Sequence, residues 1–123
     1  MLIKYYDMTA VDSIRQHVGD DLRAVAIYHE REYEVVYERA DVEEKPRTID
    51  RIHQELIMEG LGTEYLEDVF DVGKLDCTIH SFEDAMCFHF LTGALTGMFV
   101  SIEPDTLVQI EEFMRACTAA SPE

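Results

Sequence analysis

Four side chains that can bind a metal ion or carry out thiol chemistry lie within a single stretch of thirteen residues. They are Cys77, His80, Cys87 and His89. Zinc prefers four cysteine or histidine ligands arranged as a tetrahedron, at distances of about 2.0–2.3 Å. The spacing here, Cys-x2-His followed by Cys-x-His, is not that of a zinc knuckle with tight turns. It favours two neighbouring β-strands instead.

Strand geometry limits how many of these four side chains can meet. Residues three apart on a strand face opposite ways, so Cys77 and His80 cannot easily share a site. A two-residue turn at residues 83–84 would place His80 opposite Cys87, whereas a three-residue turn would align Cys77 with His89. Either register offers at most three ligands. We therefore favour structural roles, with the cysteines as small core hydrophobes and the histidines at a strand end or under a helix.

Thiol catalysis would require a cysteine with a neighbouring base, and Cys87 with His89 or His80 is the candidate pair. An acidic environment opposes thiolate formation because it raises the pKa of a thiol. The 26 carboxylates are spread along the chain, so no pair stands out for acid–base chemistry. The glycine pairs at 60/62 and 93/97 lack the context of phosphate loops and fit turns. We expect no enzymatic activity, no catalytic residue and no cofactor.

The charge balance is strongly acidic. Among 123 residues, 26 Asp and Glu stand against 10 Lys and Arg, and the formal net charge is −16. Only three of the cations are lysines. Acid-rich, lysine-poor surfaces are typical of proteins from salt-in halophiles, where molar salt screens the repulsion between like charges. We therefore predict a halophilic protein that does not bind nucleic acid, since phosphate contacts require clustered Lys and Arg.

The apolar content is high enough for a folded chain, at 47%. We expect one domain over residues 1–123, with an ordered core at about 9–117 and a frayed tail at 118–123. The first eight residues contain Lys4 and Asp7 and do not resemble a signal peptide. No stretch approaches the ~20 apolar residues that span a bilayer. With an odd number of cysteines, three, these features predict a cytoplasmic protein with reduced thiols and no membrane partner.

The elements that position these side chains follow from hydrophobic periodicity. The pattern predicts an α+β fold, a five-stranded antiparallel sheet with helices on both faces, in the order α-β-β-α-β-β-β-α. A charged four-residue loop joins the first two strands, and Gly60 and Gly62 break or kink the second helix. The predicted helices are 9–18, 48–70 with this break, and a last one from Pro104; the strands are 22–28, 33–38, 75–80, 85–91 and 98–102.

The same periodicity predicts which side chains are buried and which form contacts. The strand between residues 22 and 28 is apolar on both faces and should be central, whereas 33–38 should be an edge. A helix face with Ile49, Ile52 and Leu56 is the predicted partner contact. The last helix should align Leu107, Ile110, Phe113, Met114 and Cys117. The predicted core consists of Leu22, Val25, Ile27, Val35, Ile79, Phe88, Val100, Ile110 and Phe113.

Two resemblances add to this interpretation. The order of elements over residues 9–117 is similar to that of roadblock/dynein light-chain domains, of the profilin-like sandwich class. This resemblance implies a sheet order of 2-1-5-4-3, homodimerisation, and a role as a scaffold or as a regulator of small GTPases. The amino-acid sequences of three segments resemble those of small acidic proteins of halophilic archaea that carry no assigned function. These segments are Gly-Asp-Asp-Leu-Arg-Ala-Val (19–25), Tyr-Glu-Arg-Ala-Asp-Val (37–42) and Phe-Glu-Asp-Ala (82–85).

The sequence thus favours a non-enzymatic protein-interaction or regulatory module that acts as a homodimer, with itself or another protein as partner. The alternative is a sensor that binds a small ligand or a metal through the region of His80, Cys87 and His89. The haloarchaeal group supplies no catalytic or binding residues that can be transferred to this chain. The two hypotheses make different demands on the structure: an uncovered surface for the first, and a cavity or ligand set for the second.

Overall fold

The computed structural model describes residues 8–42, 46–106 and 109–122. This part of the chain contains four α-helices and five β-strands, together with two short 3-10 helices at Gly19–Asp21 and Ala40–Val42. In chain order the main elements are α1 (Met8–Val18), β1 (Leu22–His29), β2 (Glu32–Glu38), α2 (Pro46–Leu61), α3 (Thr63–Phe70), β3 (Cys77–Ser81), β4 (Met86–Gly93), β5 (Thr96–Ile102) and α4 (Ile110–Ala120). None of the described helices has the length and apolar character required to cross a membrane.

The five strands form one antiparallel sheet in the order β2-β1-β5-β4-β3. The predicted α+β fold is therefore confirmed, and the strand order is the one that the roadblock resemblance implies. β1 lies inside the sheet and β2 at an edge, as predicted. β3 forms the other edge, which places the β3–β4 hairpin and its histidines and cysteines at one side of the sheet.

One face of the sheet, which we call the packed face, carries the hydrophobic core. Its strand residues alternate in register so that apolar side chains from β1, β4 and β5 point the same way. Helix α1 contributes Val11, Ile14 and Val18, and α4 contributes Phe113 and Cys117 at helical spacing. The core residues from the strands are Leu22, Val25, Ile27, Phe88, Phe90, Met98, Val100 and Ile102. Large side chains from two helices therefore fill this face.

The opposite face, which we call the α2 face, is covered by α2. Its central strand residues are mostly small or polar, and only Leu56 of α2 is buried. Successive strand residues face opposite ways, so each of these residues alternates with one from the packed face. The residues of the α2 face on the three central strands are Ala24, Ala26, Tyr28, Cys87, His89, Leu91, Gly97, Phe99 and Ser101.

Several predicted boundaries differ from the structure. His29 pairs with Glu32, so the β1–β2 connection is a two-residue turn and not a four-residue loop. Glu30 makes this turn with a left-handed φ of 53°. The last helix begins at Ile110 and not at Pro104, because residues 103–106 form a turn that the Thr106 hydroxyl stabilises through the Glu103 carbonyl, at 2.8 Å.

Other boundaries agree with the prediction or extend it. Gly62 separates α2 from α3, which confirms the predicted break. Helix α4 continues to Ala120, which is buried, within the segment that was expected to fray. The Ser121 hydroxyl then donates to the Cys117 carbonyl at 2.8 Å. Leu107, predicted on the buried face of the last helix, lies outside the described residues.

The predicted core is largely confirmed, with two errors. Leu22, Val25, Ile27, Phe88, Val100 and Phe113 are at most 1% exposed. Val35 is only half-buried. Ile79 and Ile110 were predicted to be buried but are 44% and 45% exposed. Ile79 lies opposite Phe88 but on the edge strand, with β4 on one side only, and Ile110 is the first residue of its helix.

Candidate functional site

The β3–β4 hairpin determines which of the four candidate ligands share a face. Phe82 donates its amide to the Ala85 carbonyl at 2.8 Å, so residues 83–84 form a two-residue turn. His80 consequently lies opposite Cys87, which is the first of the two predicted registers. His80, Cys87 and His89 all belong to the α2 face. Cys77 pairs with Phe90 and belongs to the packed face, so it is separated from the other three.

The three residues do not converge on a common point. In the described part of the chain, no group of three or more His, Cys, Asp or Glu side chains is arranged to hold a metal ion. His89 contacts Glu59 of α2, with 2.7 Å between Nδ1 and Oε1. His80 approaches the other oxygen of the same carboxylate, with 3.3 Å between Nε2 and Oε2. The Cys87 thiol instead lies 3.8 Å from the Ser101 hydroxyl.

The environments of the other two cysteines oppose thiol chemistry. All three cysteines carry thiols, with no disulfide among them. Burial raises the pKa of the Cys77 thiol to about 12, and burial likewise raises the pKa of the Cys117 thiol to about 12. Because the thiolate is the nucleophile, these two groups stay in their unreactive protonated form at neutral pH.

A buried polar network connects α2 to the sheet through His89. The Tyr28 hydroxyl lies 2.5 Å from His89 Nε2, and both side chains are only 1% exposed. Burial lowers the pKa of His89, although Glu59 acts in the opposite direction. Burial, and next the Glu59 charge, raise the pKa of Tyr28. A neutral imidazole therefore donates from Nδ1 to Glu59 and accepts from the phenol at Nε2.

This order of groups resembles a catalytic relay, but its terminal oxygen is enclosed. Gly97 lies directly beside the phenol: a Cβ at this position would be 2.6 Å from the Tyr28 hydroxyl and 2.5 Å from the Phe90 carbonyl oxygen. The phenol thus occupies the space that any other residue at position 97 would need. With Tyr28 buried in this way, the network is suited to fixing α2 on the sheet.

Sequence reasoning missed Glu59 and Tyr28. A signal for Glu59 is present, because Ile52, Leu56 and Glu59 have the spacing i, i+4, i+7 and share one face of α2. A carboxylate on an otherwise apolar helix stripe indicates a buried polar partner. Tyr28 ends the alternating series that begins with Ala24 and Ala26, but nothing in the sequence indicates the length of the gap that its hydroxyl bridges.

A cavity of about 600 Å³ lies between α2 and the sheet. Its floor consists of small side chains, Ala24, Ala26, Cys87 and Ser101, and Ile52 and Leu56 lie above it. Volumes of roughly 300–1,000 Å³ are typical of sites for small molecules. The charged and titratable residues of the lining are Arg23, Arg51, Glu38, Glu55, Glu59 and His80.

The positive charge of Arg23 is largely compensated. Its Nε donates to the Ser101 hydroxyl at 3.2 Å, and a terminal nitrogen lies 3.9 Å from Glu103. Arg39 also donates to Glu103, at 2.6 Å, and forms a second ion pair with Asp41. Hydrogen bonding from Arg39 is the main reason why the pKa of Asp41 is lowered. These contacts form one salt-bridge cluster at the end of the cavity near β2.

The predicted partner contact is wrong in its location. Leu56 is 5% exposed, and Ile49 and Ile52 are half-buried, because this stripe of α2 faces the sheet. A different surface is uncovered instead. No residue of α3 is buried, and its apolar side chains have the spacing of one helix stripe. We call the following residues, which are 41–86% exposed, the α3 surface: Leu61, Tyr65, Leu66, Val69, Phe70 and Val72.

The two edges of the sheet differ in charge. β2 carries Glu32, Glu34 and Glu38, and charged residues are a common protection against strand addition. β3, with the sequence Cys-Thr-Ile-His-Ser, carries no Asp, Glu, Lys or Arg. β3 also lies close to α3 in the fold, because Leu75, just before the strand, donates its amide to Glu67 of α3 at 2.7 Å.

Comparison with known families assigns nearly all of the described chain. A family model described as a domain of unknown function, DUF7522, matches residues 9–121, and the chain therefore belongs to this family. A search among curated proteins finds no match to this sequence.

Proposed function

We propose that this member of the DUF7522 family is a non-enzymatic protein-interaction module that acts as a homodimer. One observation carries the proposal: α3 presents an uncovered stripe of apolar side chains that are 41–72% exposed, and no residue of this helix is buried. Contiguous apolar surface of this kind is typical of interaction sites in proteins that otherwise fold as single soluble units. The Glu67–Leu75 hydrogen bond holds the opposite, acidic side of α3 to the segment that leads into β3.

The area of the α3 surface is adequate for a specific interface. Its six side chains expose on the order of 800 Å², which is the share that each partner contributes to an interface of standard size. Tyr65 and Phe70 are 72% and 67% exposed, and aromatic residues are the type most enriched at binding hot spots. The opposite side of α3 carries Glu64, Glu67 and Asp68, which disfavours an anionic membrane or a nucleic acid as partner.

A second copy of the chain fits this surface. In a two-fold interface the same patch meets itself, so each strand or helix must be compatible with its own copy. Antiparallel pairing of β3 with a second β3 brings no like charges together, whereas pairing of β2 would place three glutamates near three others. The β3 edge is therefore the better of the two edges for self-association.

The acidity supports a high-salt setting for this module, and its three cysteines without a disulfide fit a reducing compartment. Each copy carries a formal charge of −16, so two copies repel one another in dilute buffer. At 1 M salt the Debye length falls to about 3 Å, and the repulsion is screened. Self-association and folding stability are therefore both expected to increase between dilute buffer and molar KCl.

Light scattering at micromolar protein in molar KCl tests the proposal. We expect a dimer for the natural chain, and a monomer for the double variant Tyr65→Glu/Phe70→Glu and for Ile79→Lys on the β3 edge. Met58→Glu serves as a matched control, because Met58 is 63% exposed but lies outside the α3 surface. A natural chain that is monomeric in molar KCl, or a monomeric Met58→Glu variant beside dimeric α3 and β3 variants, would reject the proposed interface.

A further inference from the structure

We infer that the cavity beneath α2 binds a small organic cation, an aromatic or alkyl amine whose apolar body lies on the floor of small side chains and whose ammonium group pairs with Glu59. This inference does not depend on the proposed dimer: α2 and the central strands form most of the cavity, and among its lining residues His80 alone belongs to β3. It gives a ligand class to the region in which His80, Cys87 and His89 were predicted to act.

The size and lining of the cavity favour a ligand with an apolar body. The volume of about 600 Å³ accommodates a one- or two-ring molecule. Half-buried Ala24 leaves space that a larger side chain would fill, while Ile52 and Leu56 of α2 and Phe99 of β5 supply apolar walls. Such a site gains binding energy by removing apolar ligand surface from water.

The charges around the cavity favour a cation over an anion. Three glutamates and two arginines line it, and one of these arginines, Arg23, already contacts Glu103 and Ser101. The other, Arg51, lies on an exposed position of α2. In molar KCl the overall charge of −16 is screened beyond about 3 Å, so the charges that line the cavity itself decide the preference. An anionic ligand would therefore meet repulsion that an amine does not.

Glu59 is the group best placed to receive the ammonium. Its side chain is only 26% exposed, so a charge pair there is less screened by water than one on the surface. Its Oε1 accepts from His89 at 2.7 Å, but its Oε2 has a longer contact of 3.3 Å to His80. The His80 side chain is 45% exposed. An ammonium group can therefore replace His80 at Oε2 while the bonds from Glu59 to His89 and from His89 to Tyr28 stay intact.

Three probes that share an indole ring separate the possible ligand classes. Tryptamine is a cation, tryptophol is its neutral analogue and indole-3-acetate is an anion. Titration calorimetry in molar KCl, which screens non-specific attraction of cations, should show one site for tryptamine. We expect tryptamine to bind about tenfold more tightly than tryptophol, the ratio that corresponds to one charge-assisted contact of about 1.4 kcal/mol. Indole-3-acetate should bind most weakly.

Two variants test the position of the ligand. Glu59→Gln keeps an acceptor for His89 but removes the charge, so the preference for tryptamine over tryptophol should disappear. Glu34→Gln is the matched control, because it removes one charge from the β2 edge and should leave the preference unchanged. Ala24→Leu should fill part of the cavity, which half-buried Ala24 lines, and abolish binding of all three probes while the protein still melts cooperatively.

The outcomes distinguish the inference from its competitors. Equal affinity for tryptamine and tryptophol would reject the amine assignment. Tighter binding of indole-3-acetate than of tryptamine would show that the cavity prefers an anion. No binding of any probe at millimolar concentration would reject the site. Retention of tryptamine binding by Ala24→Leu would place the ligand elsewhere and would also overturn the inference.

Discussion

The two faces of the sheet are covered by helices in different ways, one by close packing and the other with a cavity left beneath the helix. On the packed face, the aromatic rings of Phe88 and Phe113 meet edge to face at 5.0 Å between centroids. On the α2 face, the same strands present Ala24 and Ala26, and a cavity remains. Because successive strand residues face opposite ways, the two faces vary independently. One sheet can therefore combine a close-packed core with an open site.

The number of helices on each face accounts for much of the difference. Five strands spaced about 4.8 Å apart form a sheet roughly 19 Å wide, whereas one helix with side chains is about 10 Å across. Helices α1 and α4 together cover the packed face. Helix α2 covers the other face alone, and its specific bonds to the sheet include Glu59 to His89 and His53 to the Glu30 carbonyl. A single helix leaves space beside it.

The largest expected contrast comes from truncating one phenylalanine on each face. Phe88→Ala should destabilise the protein by about 3–5 kcal/mol, because it leaves a cavity in a fully packed core. Phe99→Ala should destabilise it by less than about 2 kcal/mol, because Phe99 is half-buried and already borders a cavity. Denaturant unfolding in molar KCl measures both values. Equal losses would show that the α2 face is as tightly packed as the other.

A smaller effect should come from the position that accommodates Tyr28. Gly97→Ala places a methyl group against the Phe90 carbonyl and the Tyr28 hydroxyl, and should destabilise the protein by about 1–3 kcal/mol. Gly93→Ala is the matched control on β4, since the nearest atom to its new methyl is 3.9 Å away. We expect the control to stay within about 0.5 kcal/mol of the natural chain. A neutral Gly97→Ala variant would contradict the close approach of the phenol.

The smallest expected effect is a pH dependence confined to the α2 face. Burial lowers the pKa of His89 in the folded state, so the unfolded chain binds a proton more readily. Stability linked to His89 is therefore complete above the unfolded pKa of about 6.5 and is lost as the pH falls below it, by at most about 1.4 kcal/mol per pH unit. Unfolding free energies at pH 7.5 and 5.5 measure this loss.

The variant His89→Gln should show a smaller loss on acidification than the natural chain, whatever its stability at pH 7.5. His17→Gln is the control, because His17 is exposed at the end of α1, and its variant should keep the dependence of the natural chain. An unchanged loss in His89→Gln would assign the acid sensitivity to the carboxylates instead.

Local patterns in the sequence were sufficient for the packed face but not for the α2 face. Alternation and helical spacing identified Leu22, Phe88 and Phe113 as core residues. Where a helix packs on a sheet, each of the two elements carries apolar residues at its own characteristic spacing. The errors at Ile79 and Ile110 arise at an edge strand and at the start of a helix. The apolar periodicity continues to these positions, but neighbouring elements no longer bury the side chains. Periodicity reports which side of an element is apolar and not whether anything covers it.

The candidate site depended on distances that no local pattern encodes. The alternative registers for His80 and Cys87 followed from strand geometry, and the turn at residues 83–84 decided between them. The meeting of Glu59 with His89 joins residues thirty positions apart, on a helix and a strand whose separation depends on the whole sheet. The uncovered state of α3 was equally inaccessible, since its apolar stripe resembles that of a buried helix.

The packed face also has a consequence for the order of events during synthesis. Its core requires both α1, at Met8–Val18, and α4, at Ile110–Ala120, which contact one another on this face of the sheet. At translation rates of about 5–20 residues per second, the roughly ninety residues between them take on the order of 5–20 s to appear. Only over the last twenty or so residues of that interval does the nascent chain contain Phe88 and Phe90 but not the helix that covers them. We expect chaperones that recognise exposed aromatic segments to bind this part of the nascent chain before α4 leaves the ribosome.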